Sequence, residues 1–206
     1  MKTKFTMLIL AVVIIVLGVM LLHLTHRTCK NDKSASAIEN ILTRKSVRNY
    51  TGEAIPSSVQ ETIMRCAMAA PTAMNIQPWT FIVVDTQEAR NKLMTLNFQP
   101  EKIATAGMVV IVCADQTKFI DGSARDFWIE DCSAATQNIL LAAHAEGLGA
   151  VWCGIYPVPE KIEMFSELYQ LPDNIIPFAM VTIGHPAENP AVKDKWSPEK
   201  IHRNYW

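Results

Sequence analysis

Two short polar clusters in this 206-residue chain carry side chains that could do chemistry. The first is Arg44-Lys45-Ser46-Val47-Arg48, in which guanidinium groups flank a hydroxyl. Guanidinium forks and a hydroxyl suit the oxygens of a phosphate. Taken alone, so short a segment reads more readily as a solvated charged turn. The second lies between Ala69 and Asp85, where Thr72, Asn75 and Gln77 fall between Pro71 and Pro78. Pro71 is expected to end a helix, and Pro78 to force Gln77 into extended backbone and launch a strand. A stiff polar loop at the mouth of a strand is a common place for binding residues; a turn whose Asn caps something local is the alternative. Gly154, closing the apolar stretch Leu148–Gly154, either admits a ligand against the backbone or is a plain turn glycine.

Other chemistries are disfavoured. The five cysteines (Cys29, Cys66, Cys113, Cys132, Cys153) form no C-x-x-C and no compact disulfide framework. Four of them sit in apolar surroundings, as small hydrophobes do. The five histidines form no H-E-x-x-H, so no metal is expected. No G-x-G-x-x-G, P-loop or G-x-S-x-G elbow is present. A net charge of −1 and the absence of a basic tract with interleaved aromatics argue against nucleic acid.

The elements that would position these clusters can be read from pattern. Helices are expected over Ile38–Thr43, from Pro56-Ser57-Ser58 to about Ala70, over Gln87–Leu96, Ala124–Glu146 and Glu160–Tyr169. Ser58 with Glu61 has capping-box spacing, Ser57 being the alternative cap, and Ser123 is a candidate cap for the long helix. Gly147 fits the left-handed position that ends that helix. Strands are expected over Trp79–Asp85, Ala106–Ala114, Leu148–Gly154 and Phe178–Ile183. The unbroken run Phe81–Val84 suggests a strand covered on both faces. The long helix is apolar on most sides and needs cover nearly all round, part of which a second subunit could supply. Trp196, Tyr205 and Trp206 suggest that the tail from Ala187 packs onto something. Interleaved helices and buried strands indicate an α/β or α+β three-layer domain.

The N-terminus is of another kind. Lys2 and Lys4 precede an uncharged apolar run from Met7 to Leu22 that continues to Leu24, before Arg27 and Lys30. That is the short end of what spans a bilayer, and a secretory signal has a similar layout. An uncleaved anchor, a signal, a lipidated Cys29 and a buried core helix are all open, and the flanking charges do not fix an orientation. The expected organisation is an anchor or signal at 1–28, a linker at 29–37 and a domain at 38–206. The expected location is a membrane, a bacterial inner membrane for an anchored form, or outside the cell for a secreted form.

Five pieces in order then carry a resemblance. They are R-K-S-V-R-N-Y at 44–50, A-A-P-T-A-M-N-I-Q-P-W at 69–79, D-C-S-A-A-T-Q-N-I-L-L-A-A at 131–143, E-G-L-G-A-V-W-C-G at 146–154 and I-G-H-P-A-E at 183–188. Together they resemble the nitroreductase family of FMN-dependent NAD(P)H oxidoreductases over residues 38–206. The resemblance implies an α+β three-layer sandwich forming an intertwined homodimer, with FMN at the subunit interface. It implies phosphate contacts from Arg44, Lys45 and Ser46, and Arg48 beside the flavin N1/O2 edge. Pro71, Thr72, Ala73, Met74 and Asn75 would contact the flavin from the partner subunit, and Gly154 would lie near flavin N5. The family's late basic residues fall on Lys193 or Lys195. Thr72 stands where a Ser is common, and Lys replaces an Arg fork late in the chain.

The implied reaction is a ping-pong cycle. NADH or NADPH delivers hydride to FMN, and a nitroaromatic, quinone or similar acceptor takes the electrons. The reactive atoms belong to the cofactor, so no protein nucleophile or metal is needed. Fold alone leaves other outcomes open: another activity such as a dehalogenase or azoline dehydrogenase, a flavin-binding electron carrier, or a non-catalytic tethered module.

Overall fold

The computed structural model describes Gly18 and residues 36–206. Apart from Gly18, the apolar run expected to anchor or export the chain lies outside the described residues, as does Cys29. No helix among the described residues is long and apolar enough to cross a membrane. The chain divides into two units, Met1–Thr43 and Arg44–Trp206. In the first, residues 36–43 are helical and the Thr43 hydroxyl donates to the Glu39 carbonyl at 2.7 Å. Ser36 and Ala37, expected in the linker, are therefore helical, as their fair helix propensity allows.

The second unit is an α+β sandwich. Its sheet has the order β1-β2-β4-β3, with β1 Trp79–Val84, β2 Met108–Asp115, β3 Gly149–Gly154 and β4 Ile175–Gly184. Every neighbouring pair is antiparallel; Ile111 stands opposite Ile82 on one side and Met180 on the other. Period-two alternation sends β2 side chains to opposite faces. Met108, Val110, Val112 and Ala114 pack with Ile63, Ala67, Ala135 and Ile139 of α1 (Ser57–Met68) and α4 (Phe127–Ala145). Val109, Ile111 and Cys113 pack with Leu93 of α2 (Gln87–Met94), Ile103 of α3 (Pro100–Thr105) and Phe165 of α5 (Pro159–Tyr169). Each of those larger apolar side chains contributes about 2 kcal/mol by leaving water. The exposed Glu61–Arg65 pair at 2.6 Å contributes about 0.4 kcal/mol, so packing, not surface pairing, holds the layers.

Several expectations change. β1 is an edge strand with only Trp79 and Val84 buried, because an apolar run does not distinguish an edge from a centre. The fully covered strands are β2 and β4. The capping box at Ser58 is absent: Pro56 occupies the N-cap without a side-chain bond, and Glu61 instead pairs with Arg65 one turn on. That helix ends at Met68, before Pro71. Ser123 lies in a separate 3-10 turn, Gly122–Ala124, and α4 begins at Phe127 after an uncapped Asp126. Gly147 does take the left-handed conformation, at φ +75°. Within the chain α4 is buried along one face and half-buried along the other, with Phe127, Glu130 and Ala145 exposed near its ends. Trp196, Tyr205 and Trp206 are exposed as well, and Trp206 stacks on His202. The short α3 was not expected, since six residues carry too little periodicity to read.

Candidate anion and cofactor site

The segment 46–50 is laid against the sheet by close backbone approach. Ser46 bridges Ala150 in parallel, and the Val47 N–H donates to the Ala150 carbonyl at 3.1 Å. A Cβ at Gly149 would stand 2.6 Å from Val47, and one at Gly184 would stand 2.8 Å from Tyr50. Any larger residue at either glycine would push the segment off the sheet. Tyr50 is buried, its hydroxyl lying 2.6 Å from the Val47 carbonyl and 2.9 Å from the Thr182 hydroxyl. Burial pushes its phenol well above the ordinary range, opposed by the hydrogen bond to Thr182. From the other side, Glu188 accepts the Arg48 N–H at 2.6 Å and the Asn49 side-chain amide at 2.8 Å. Those amides, the Arg48 N–H foremost, hold the carboxylate below its ordinary range. The Lys45 ammonium donates to the Asn189 side chain.

The held segment borders a cavity of about 320 Å³ lined by Arg44, Lys45, Ser46, Arg48, Lys193 and Lys195, with Pro190 and Ala191 between. Five cations and a hydroxyl converge there, and no carboxylate is among the lining residues. Both late lysines take part, where the sequence offered one or the other. Such a wall suits a multiply charged anion such as a phosphate monoester.

Arg48 also borders a second cavity, of about 220 Å³, with Gly154, Gln99, Lys102 and Lys161. Gly154 is exposed, and nothing lies within 4 Å of where its Cβ would stand, so a flat group can approach the backbone there. Lys161 donates to the Gly154 carbonyl at 3.1 Å, its ammonium 4.9 Å from the Phe98 ring centre. Gln99 takes a left-handed φ of +56° before Pro100 opens α3.

The remaining expected residues lie elsewhere in the chain. Pro71, Thr72 and Ala73 line a third cavity of about 320 Å³ with Phe127, Glu130 and Asp131 of α4. The Ala73 N–H donates to Asp131 Oδ1 at 2.9 Å, whereas the buried Oδ2 has no hydrogen-bond partner among the described residues. Desolvation raises the Asp131 carboxyl above its ordinary range against the pull of the Ala73 amide. Met74 and Asn75 are both left-handed, at φ +51° and +57°. Gln77 is not extended before Pro78 but has φ +48°. Its N–H donates to the Thr72 hydroxyl at 3.2 Å and its side chain to Asn75 Oδ1 at 2.9 Å, and these bonds accompany the departure. Left-handed backbone in residues other than glycine is costly and often marks functional loops.

One chain therefore gathers Arg44, Lys45, Ser46, Arg48, Lys193 and Lys195, joins Gly154 to them through Arg48, and holds Pro71–Asn75 apart. Sequence reasoning missed Glu188, Asn189, Gln99, Lys102 and Lys161. Glu188 and Asn189 meet partners distant in sequence, Gln99 and Lys102 lie at an element that carried no pattern, and Lys161 sits on an expected helix as an ordinary surface cation. Pro100, a good first helical residue, was the one available signal for α3.

Comparison with known proteins identifies the family of the chain. The model of the nitroreductase family matches residues 41–100 and 94–185. A protein of Methanothermobacter thermautotrophicus, provisionally named an NADH dehydrogenase/NAD(P)H nitroreductase, is 38% identical over 185 residues, covering 89% of this chain and 93% of the relative. A crystal structure from Parabacteroides distasonis with the same provisional name superposes at a TM-score of 0.75, with 36% identity, over 83% of this chain and 99% of that one. The NADPH:FMN oxidoreductase of Vibrio harveyi, solved with NAD+, superposes at 0.73 with 26% identity, over 82% of this chain and 77% of that one. With its sandwich, its cation-lined cavity and these matches over most of its length, the chain belongs to the nitroreductase family.

Proposed function

We propose that this protein takes hydride from NADH or NADPH and passes the electrons to a nitroaromatic, a quinone or a similar small acceptor by a ping-pong cycle. As a member of its family it is an FMN-dependent NAD(P)H oxidoreductase. The observation that carries the reading is the pair of cavities joined at Arg48. Arg44, Ser46, Lys193 and Lys195 would neutralise the FMN phosphate, with Lys45 beside them. Arg48 would hold fixed positive charge next to the ring, where it favours added electrons. Gly154 leaves room for a planar group, and Gln99 and Lys102 offer polar contacts along the same cavity. Bound FMN supplies a centre that accepts hydride from the nicotinamide and yields electrons to an acceptor.

The functional form we propose is a homodimer in which Pro71–Asn75 of one copy completes the site of the other. The separation of that loop from the Arg44 cavity supports this, as do the exposed Met74, Val83 and Phe127. The uncharged run Met7–Leu22 would tether the dimer to a membrane. The test is an absorption spectrum of the purified protein with the released cofactor identified by chromatography, followed by NADH and NADPH oxidation. Bound FMN with turnover on a quinone or nitroaromatic supports the reading. A folded, colourless protein that refuses added FMN would end it, and bound FMN without NAD(P)H oxidation would indicate an electron carrier.

A further inference from the structure

We propose that Glu188 is the positioning residue of the anion site, shaping the Arg44–Arg48 segment for phosphate through its hydrogen bonds to Arg48 and Asn49. The inference rests on the FMN reading above. The chain leaving β4 is laced to the segment entering the site: the Thr51 N–H donates to the His185 carbonyl and the Ala187 N–H to the Asn49 carbonyl, each at 3.0 Å. Tyr50 and Pro186 form an antiparallel bridge between them. Glu188 is the next residue, and its two oxygens close the lacing. Oε1 accepts the Arg48 N–H at 2.6 Å and the Asn49 N–H at 3.3 Å, and Oε2 accepts the Asn49 side-chain amide at 2.8 Å.

A carboxylate is a costly choice here. It places negative charge beside a cavity lined by five cations whose proposed occupant is an anion, and so weakens the field that attracts it. Among the described residues it forms no ion pair within 4.0 Å with Arg48 or any of those lysines. All of its recorded hydrogen bonds go to the two residues that end the anion segment. Only an ionised carboxylate offers two acceptor oxygens to three converging N–H donors. Geometry thus outweighs charge, and the two roles make opposite predictions for a neutral isostere.

Glu188→Gln keeps the size, removes the charge and turns an NH2 group against N–H donors. If Glu188 positions the segment, the Kd for FMN rises tenfold or more. If it acts only through its charge, the Kd falls. The experiment is a titration of full-length apoprotein with FMN, followed by flavin fluorescence, with the thermal midpoint of the apoprotein measured alongside. A tenfold rise with little change in midpoint is the expected result. In an Arg48→Met background the same substitution should cost less, because one of the side chains that the segment presents is already gone; a purely structural role would cost the same in both. An unchanged or lower Kd overturns the proposal. Wild-type protein that binds no FMN overturns the functional reading and this proposal with it. Wild-type binding with an indifferent variant overturns the proposal alone. Should Glu188→Gln fail to fold, Asn49→Ala removes only the Oε2 bond and should raise the Kd about threefold; no change would count equally against the role.

Discussion

Arg48 borders both the cation-lined cavity and the cavity beside Gly154, so under the proposed function its single charge would serve two tasks. Arg48→Ala is then expected to weaken FMN binding and to lower the flavin reduction potential, because the added electrons would lose a fixed positive charge. Normal flavin content with an unshifted potential, measured by spectroelectrochemistry, would remove Arg48 from that role. Asp131 gives a prediction with the opposite sense for stability. Its carboxyl is raised in the folded protein, so the folded state binds more protons than the unfolded one between the two values. Stability therefore falls as pH rises from the unfolded carboxylate range through the raised native value, and stays lower above it. Asp131→Asn keeps an acceptor for the Ala73 N–H and removes the buried charge. It should raise the thermal midpoint at pH 7 and flatten this decline. Asp131→Ala leaves the Ala73 N–H without its partner and should cost about 1 kcal/mol, read from urea unfolding.

At the scale of elements, the placement of the anion segment depends on what β3 and β4 lack. Gly149→Ala would set a Cβ 2.6 Å from Val47, and relieving it must shift the whole 46–50 strip. A loss of about 1–3 kcal/mol is expected, with a fall in FMN affinity larger than the loss of fold explains; calorimetry and flavin titration on one sample separate the two. These glycines also show what the sequence could reveal. The apolar runs of β2 and β4 and the Gly147 stop were readable, because burial and left-handed backbone leave marks at single positions. The Val47–Gly149 and Tyr50–Gly184 approaches were not, since each joins residues about a hundred or more apart by a contact with no residue-type signature. The same holds for Glu188 and Asp131, whose partners are backbone amides and, for Glu188, the Asn49 side chain as well. Arg44, Ser46 and Arg48 were legible as a candidate phosphate site only through their company with the other motifs, because alone they match any charged turn. The β1 run misled because hydrophobicity reports that a strand is apolar, not how many neighbours it has.

For the whole molecule, the question is where one site ends. If Asn75 serves the partner's flavin, Arg48→Ala and Asn75→Ala homodimers are both defective, yet mixing and reassociating them should restore about a quarter of the sites, since each mixed dimer pairs one intact site with one doubly defective site. Recovery of FMN content and NADH oxidation on mixing checks this; no recovery places Asn75 in its own chain's site. Asn75→Ala alone should lower FMN occupancy without unfolding the domain, with only a small fall in the apoprotein's thermal midpoint as Ala takes the left-handed φ of +57° and the Gln77 side chain loses its acceptor. The edge strand adds a different consequence. β1 ends the sheet with Thr80 and Val83 exposed, a row of backbone groups open to whatever strand arrives. Working lifetime should then depend on how crowded the preparation is. Concentrated stocks should decay sooner than dilute ones, or than molecules fixed singly on an electrode, at the same temperature, and storage concentration becomes a variable to control before any stabilising mutation is sought.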